Sequence, residues 1–173
     1  MSDHSLPPDV HVLVRGWLHG NVVLLSGRTP AIIDTGYHTG LPALLQAIEV
    51  HLRVAPAELA AIALTHVHSD HAGGVAGLQA LGALRVAAQE RAAALTAPWD
   101  RRGLWLEGTG QQMPNFSIDE HLEIGSSVNL GDRTWTVIST PGHATGGVSF
   151  FEPQIGVLVT GDALWEDGFG LLL

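Results

Sequence analysis

One run of ten residues constrains this chain more than any other: Thr65-His66-Val67-His68-Ser69-Asp70-His71-Ala72-Gly73-Gly74. Four residues of metal-ligating type fall within six positions, and two glycines follow. His66 and His68 lie at the end of an apolar run, residues 60–65, that reads as a buried strand. Alternate side chains of an extended segment share a face, so both imidazoles point the same way and can grip one cation. Asp70 and His71 arrive as the chain turns into a small-residue helix over 72–81, and they aim at a neighbouring position. The glycines let that helix pack closely on a sheet. Such a run belongs at the carboxyl end of a strand, in the crevice before a helix, where α/β proteins build their sites.

Two further pieces extend the set. Pro141-Gly142-His143 sits in a glycine-rich turn after an expected strand over 135–139. Thr160-Gly161-Asp162 follows the apolar run 156–159. A carboxylate after a buried strand is costly to desolvate unless it meets a cation or several donors, and a bridging position between two metals would satisfy it. The candidate metal-ligating residues are therefore His66, His68, Asp70, His71, His143 and Asp162. A single histidine on an apolar strand is usually a hydrogen-bonded core residue. Here the clustering outweighs that reading. His4, His11, His19, His51 and His121 are expected to be surface or structural. His38, just after Asp34-Thr35-Gly36, is a further candidate for lining the site.

The rest of the chain reads as short strands, then helices, then strands again, which predicts one layered α/β domain with mixed sheets. Strands are expected over 11–15, 22–26 and 31–34. A helix follows over 41–53, with Leu41, Leu44, Leu45, Ile48 and Leu52 at helical spacing. A weak strand over 85–88 and a short helix over 89–95 come next. Residues 97–120 form a long irregular stretch, which its aromatics Trp99, Trp105 and Phe116 mark as a folded flap. Strands are expected again over 121–124, 127–130, 135–139, 148–151 and 156–160. Residues 21–36 (NVVLLSGRTPAIIDTG) and 147–162 (GVSFFEPQIGVLVTGD) are both strand–turn–strand units of sixteen residues ending in a Thr/Gly/Asp cluster. The match hints at two related halves.

Composition narrows the chemistry. With no cysteine, neither disulfides nor a thiolate site is available, and any metal rests on imidazole and carboxylate. Zinc, iron, manganese and cobalt suit such ligands. A net charge of −9 with 8 Lys plus Arg argues against a nucleic-acid partner. No basic start precedes an apolar stretch, and no run reaches about 18 apolar residues, so neither a signal peptide nor a membrane span is expected. A cytoplasmic location is the default.

The segments Ile33-Asp34-Thr35-Gly36, THVHSDHAGG, TPGHATGG and VTGDALWEDGFG, in this order, resemble the metallo-β-lactamase-fold hydrolases over almost the whole chain. Within that superfamily they are most similar to the glyoxalase II-like thioesterases and their lactonase relatives. The resemblance implies an α/β fold, an αββα four-layer sandwich with the metals at one edge of two sheets. It implies that His66, His68 and His143 bind a first metal, that Asp70 and His71 bind a second, and that Asp162 bridges them. Asp34 would be a buried structural residue nearby. The implied cofactors are two divalent ions, zinc first, with iron or manganese as alternatives. Aspartate at position 162 and the lack of cysteine argue against antibiotic hydrolysis.

One departure stands out. The family takes a last histidine for the second metal from a strand near its carboxyl end, whereas no histidine follows His143 here, and Leu173 is the last residue. Charged residues are 14% of the chain, against about 25% in ordinary domains, and the sequence ends in three leucines. The single domain, residues 1–173, is therefore expected to lack the C-terminal part of the fold. Its second metal position is expected to be weak or empty, and its turnover feeble.

By the same resemblance the expected activity is that of a metal-dependent hydrolase. A metal-bound hydroxide, oriented by Asp70 as the catalytic residue, attacks an ester-type carbonyl, a thioester in the first instance. A lactone hydrolase and a non-catalytic scaffold are the alternatives. The expected partner is a small-molecule ester or thioester. Trp165 and Phe169, just after Asp162, are candidates for an apolar wall beside the metals. Arg101 and Arg102 could meet an anionic substrate from the flap, although two adjacent arginines on a loop are more often just solvated. Exposed apolar edges make a homo-oligomer a further expectation.

Overall fold

Near-continuous apolar strands such as VVLL, AII and AIA belong in a sheet covered on both faces. They form one in this protein, for which a computed structural model describes residues 6–16, 18–82, 84–165 and 168–169. Strands β1 (Val10–Leu13), β2 (Val22–Leu25), β3 (Ala31–Ile33), β4 (Ala61–Ala63), β5 (Arg85–Gln89) and β6 (Glu120–Leu122) lie side by side in chain order. The first three pair antiparallel, and β3 to β6 pair parallel. The parallel strands are joined through helices α1 (Leu41–Ala47), α2 (Ser69–Ala72), α3 (Val75–Gln79) and α4 (Glu90–Thr96).

Alternation along the strands divides the core in two. Val22, Leu24, Ile32, Ile62 and Val86 meet the helices through Leu44, Ile48, Val75, Leu78 and Ala92. Val23, Leu25, Ile33, Ala63 and Ala87 face a second sheet through Leu130, Trp135, Val137, Val148 and Phe150. That sheet is antiparallel, built from β7 (Ser127–Leu130), β8 (Arg133–Ser139), β9 (Val148–Glu152) and β10 (Val157–Val159) in the order β10-β9-β8-β7. A short pair, β11 (Leu164–Trp165) and β12 (Gly168–Phe169), follows. Arg133 clasps the sheets together, giving Nε and Nη2 to the Asp9 carboxylate at 2.6 and 2.8 Å while Nη1 lies 3.6 Å from buried Glu152.

The layers described are therefore helix, sheet and sheet. The outer face of the second sheet keeps Ile138 and Leu158 exposed at 38% and 45%, where a four-layer sandwich carries its other helices. Among the described residues no helix is long and apolar enough to cross a membrane.

Two local expectations are corrected. The strand expected over 60–65 ends at Ala63, so His66 and His68 stand on a loop. Alternation nevertheless persists there, since Val67 is buried in the helix-side core between them. The helix expected over 72–81 is broken at Gly73-Gly74 into α2 and α3. The Gly74 N–H leaves the helical ladder for the Gly36 carbonyl at 3.1 Å and Thr35 Oγ1 at 3.0 Å. A Cβ on Gly73 would come within 2.5 Å of the His38 backbone nitrogen, so only glycine allows this approach.

Candidate metal centre

The site is built outward from a carboxylate rather than from a histidine. Asp34 follows β3 with φ +61°, a left-handed backbone that only a short polar side chain tolerates well, and it is 2% exposed. Its oxygens accept from the Thr65 backbone N–H at 2.8 Å, the Thr65 hydroxyl at 2.7 Å and the His71 Nδ1–H at 2.8 Å. Thr65 Oγ1, having given its proton to Asp34, accepts from His66 Nδ1–H at 3.1 Å. Both imidazoles thus use Nδ1 to hold their orientation. Nε2 of His66 and of His71 are buried with no hydrogen-bond partner. Orphaned ring nitrogens are costly, and an imidazole fixed through its other nitrogen is what a metal ligand requires.

The remaining residues come from the second sheet. The Val148 N–H donates to the Thr65 carbonyl at 2.9 Å, which fastens β9 to the motif loop and seats the preceding turn beside it. On that turn His143 Nε2 lies 3.1 Å from His68 Nδ1. The rings of His66, His68 and His143 are mutually 4.6 to 5.0 Å apart. Asp162, in the turn after β10, spans both groups. One oxygen is 3.1 Å from His71 Nε2, off the line of a hydrogen bond, and the other is 3.4 Å from His143 Nε2.

All six candidate residues are brought together. Two sets have ligand atoms within 4.8 Å of one another: His66, His68 and His143, and His66, His71 and Asp162. Asp70 stands just outside the second, its carboxylate 3.5 Å from His71 Nε2. The expected split thus differs in one respect, since His66 belongs to both sets.

Burial and mutual repulsion set the charges. Burial, reinforced by the neighbouring histidines, holds His66 well below the ordinary imidazole value and lowers His68 to about 4. Burial pushes His71 down as well, but the Asp34 carboxylate on Nδ1 and the nearby charges of Asp162 and Asp70 outweigh it and raise it well above normal. Burial raises Asp70. Asp162 is lowered, because contact with His71 overcomes its burial. Without a cation, then, His66 and His68 are held toward the neutral form and His71 toward the protonated one.

Sequence reasoning missed the supports. Thr65, Gly20 and Gln111 carry no ligand signature; only their contacts reveal them. A Cβ on Gly20 would lie 2.5 Å from the Asp70 carbonyl and 2.9 Å from His71 Nε2. Gly20→Ala is therefore expected to shift His71 and weaken its cation position by about 10–100-fold, the usual cost of disturbing a ligand's support. The set of His68 and His143 should be spared, and zinc titration with a chromophoric chelator would separate the two affinities.

A cavity of about 840 Å³ opens between β1 and β10 onto His71 and Asp162, with Val10, Val23, Val157 and Val159 in its walls. Trp165 lines it and is 46% exposed. The Phe169 side chain, His4 and residues 170–173 lie outside the described residues. His19, expected at the surface, is also on this wall, edge-on to Tyr37 at 4.9 Å. His38 keeps a buried, unpartnered Nδ1 beside α2. Arg101 and Arg102 are exposed on the flap, and among the described residues no hydrogen bond or ion pair joins their guanidinium groups to the cluster.

Comparison with known proteins agrees with this geometry. Residues 15–173 match the family model described as the metallo-β-lactamase superfamily. A hydroxyacylglutathione hydrolase of Maricaulis maris is 34% identical over 108 residues, which is 62% of this chain and 35% of that protein. A human acyl-coenzyme A thioesterase is 29% identical over 167 residues, covering 84% and 58%. The chain thus spans about a third to three fifths of these relatives' length. A metallo-β-lactamase family protein from Thermus thermophilus superposes with a TM-score of 0.76 at 25% identity, covering 97% of this chain and 64% of that one. The subclass B3 metallo-β-lactamase BJP-1 of Bradyrhizobium japonicum gives 0.71 at 25% identity, covering 83% and 53%.

Proposed function

The chain belongs to the metallo-β-lactamase superfamily, and from that premise we propose that it is a metal-dependent hydrolase of thioesters. The observation that carries the reading is that His66 Nε2 is buried with no hydrogen-bond partner, in a cluster whose ligand atoms lie within 4.8 Å of one another. His66, His68 and His143 would hold one divalent cation, zinc in the first instance. His71, Asp70 and Asp162 would hold a second, with Asp162 between the two.

When bound, such ions bring the pKa of a coordinated water to about 7 and polarise a carbonyl oxygen. The residues of this chain do the rest. Asp34 and Thr65 fix the rings of His71 and His66 through Nδ1. Asp70, made more basic by burial, orients the attacking water and receives its proton. Asp162 offsets cationic charge from both sides. Asp70, once it holds that proton, is the one residue of the six that can return it to a leaving group. A thiolate needs no such help, since its conjugate acid has a pKa of about 8.5. That favours a thioester over an alkyl ester.

The test is a zinc-loaded preparation assayed against acyl thioesters, lactones and phosphodiesters. Thioester turnover that a chelator abolishes is the expected result. Turnover of lactones alone overturns the substrate class. Two retained zinc equivalents without turnover of anything overturn the enzyme in favour of a binding protein.

Cation uptake should also be coupled to protons. His71 is held toward the protonated form without a cation and must lose a proton to offer Nε2, whereas His66 and His68 are held toward the neutral form. Affinity at the second position should therefore fall about tenfold per pH unit as pH drops below the raised pKa of His71. Calorimetry in two buffers of different ionisation enthalpy should show about one proton released there, and equal heats in both would count against this account.

A further inference from the structure

The flap between α4 and β6 is built with more constraint than a connection needs. Leu104 and Leu106 are 0% and 2% exposed in the helix-side core. Between these two anchors Trp105 is 41% exposed, with φ +58°. Left-handed backbone is unfavourable for a bulky residue, so the surroundings hold it there.

Those surroundings are explicit. The Leu106 and Glu107 N–H groups both donate to the Arg101 carbonyl, at 2.9 and 3.0 Å, and the Thr109 hydroxyl donates to the Trp105 carbonyl at 2.5 Å. Two residues past Thr109, the Gln111 carboxamide accepts from the Ser69 hydroxyl. That bond ties the flap to α2, the helix that carries Asp70 and His71. The Trp105 ring centroid consequently lies 5.9 Å from that of His68. A large apolar face is thus fixed at the edge of the cluster, half open to solvent, while its neighbours are sealed.

The geometry points to Trp105 as the specificity-determining residue of this site, a platform for an apolar acyl or aryl group attached to the carbonyl that is cleaved. An indole face offers dispersion and area burial, with one N–H as its only polar handle, so hydrocarbon is the matching chemistry. The inference rests on the thioesterase reading for its reaction, but not for its recognition chemistry.

The experiment compares zinc-loaded wild type, Trp105→Gly and Trp105→Phe on acetyl, octanoyl and phenylacetyl thioesters. Glycine suits the left-handed backbone, so loss of the ring is separated from failure to fold. Trp105→Gly is expected to lower kcat/KM for the octanoyl and phenylacetyl substrates about tenfold, or about 1.4 kcal/mol, mainly through KM. The acetyl substrate should change less than about twofold, and Trp105→Phe should recover most of the loss. Zinc content should be unchanged. An equal loss for all three substrates, no loss, or a loss of zinc would overturn the platform.

Non-hydrolysable S-alkyl thioethers, titrated calorimetrically, separate this inference from the reaction. A chain-length preference in wild type that Trp105→Gly removes supports the platform even if no thioester is cleaved, and the proposed reaction then falls alone. No chain-length preference in binding would overturn the platform.

Discussion

Asp34→Ala is expected to cost the fold about 3–5 kcal/mol, the range for removing one partner of a buried charged pair. Three donors lose their acceptor at once: the Thr65 N–H, the Thr65 hydroxyl and His71 Nδ1–H. Alanine also inherits the left-handed backbone without a polar side chain to stabilise it, at about 1–2 kcal/mol more. For a domain of this size, at about 2–4 °C per kcal/mol, the melting midpoint should fall by about 10–25 °C. Asp34→Asn tolerates the backbone and should cost less stability. It nonetheless removes the carboxylate that orients His71 through Nδ1 and strengthens its other nitrogen as a donor, so the second cation position should weaken in both variants. A melting midpoint within about 2 °C of wild type for Asp34→Ala would sink this account.

The second large effect belongs to His66. It is shared by both sets of ligand atoms, whereas His143 and His71 each belong to one. His66→Ala should therefore lower zinc retention further than His143→Ala or His71→Ala, each of which spares the opposite set. Zinc per chain after dialysis, read by mass spectrometry, should be lowest for the first and intermediate for the others. Because His66 is buried and held well below the ordinary imidazole value, its loss removes a ligand without removing a charge. Stability of the metal-free protein should then fall by only about 1–3 kcal/mol, the cost of the lost hydrogen bond to the Thr65 hydroxyl and the small cavity. Equal zinc content in all three variants would mean that the shared position of His66 has no consequence for binding.

Much of this was readable from residues alone. The ligand-type residues were legible because the chemistry demands imidazoles and carboxylates at strand ends, and the structure brings all six to one place. Asp162 was legible as a charge that could not sit alone after an apolar strand. The breaks were not. A helix pattern over 72–81 cannot show that Gly74 gives its N–H to Gly36, distant along the chain though adjacent in space. Nor could periodicity show that Gly20, in a loop without pattern, presses on His71. Thr65 reads as an ordinary strand residue until its hydroxyl is seen between Asp34 and His66.

The two similar strand–turn–strand units converge on a single ring. The β2–β3 hairpin delivers Asp34 to one nitrogen of His71, and the β9–β10 hairpin delivers Asp162 toward the other. That ring is thereby a keystone between two sheets that are far apart along the chain. Neither hairpin can complete the ring's surroundings until the other has docked. On the proposed reading, ion capture would report on assembly itself: a chain whose halves have not closed offers no finished pocket, and a misfolded copy would be left without a cation.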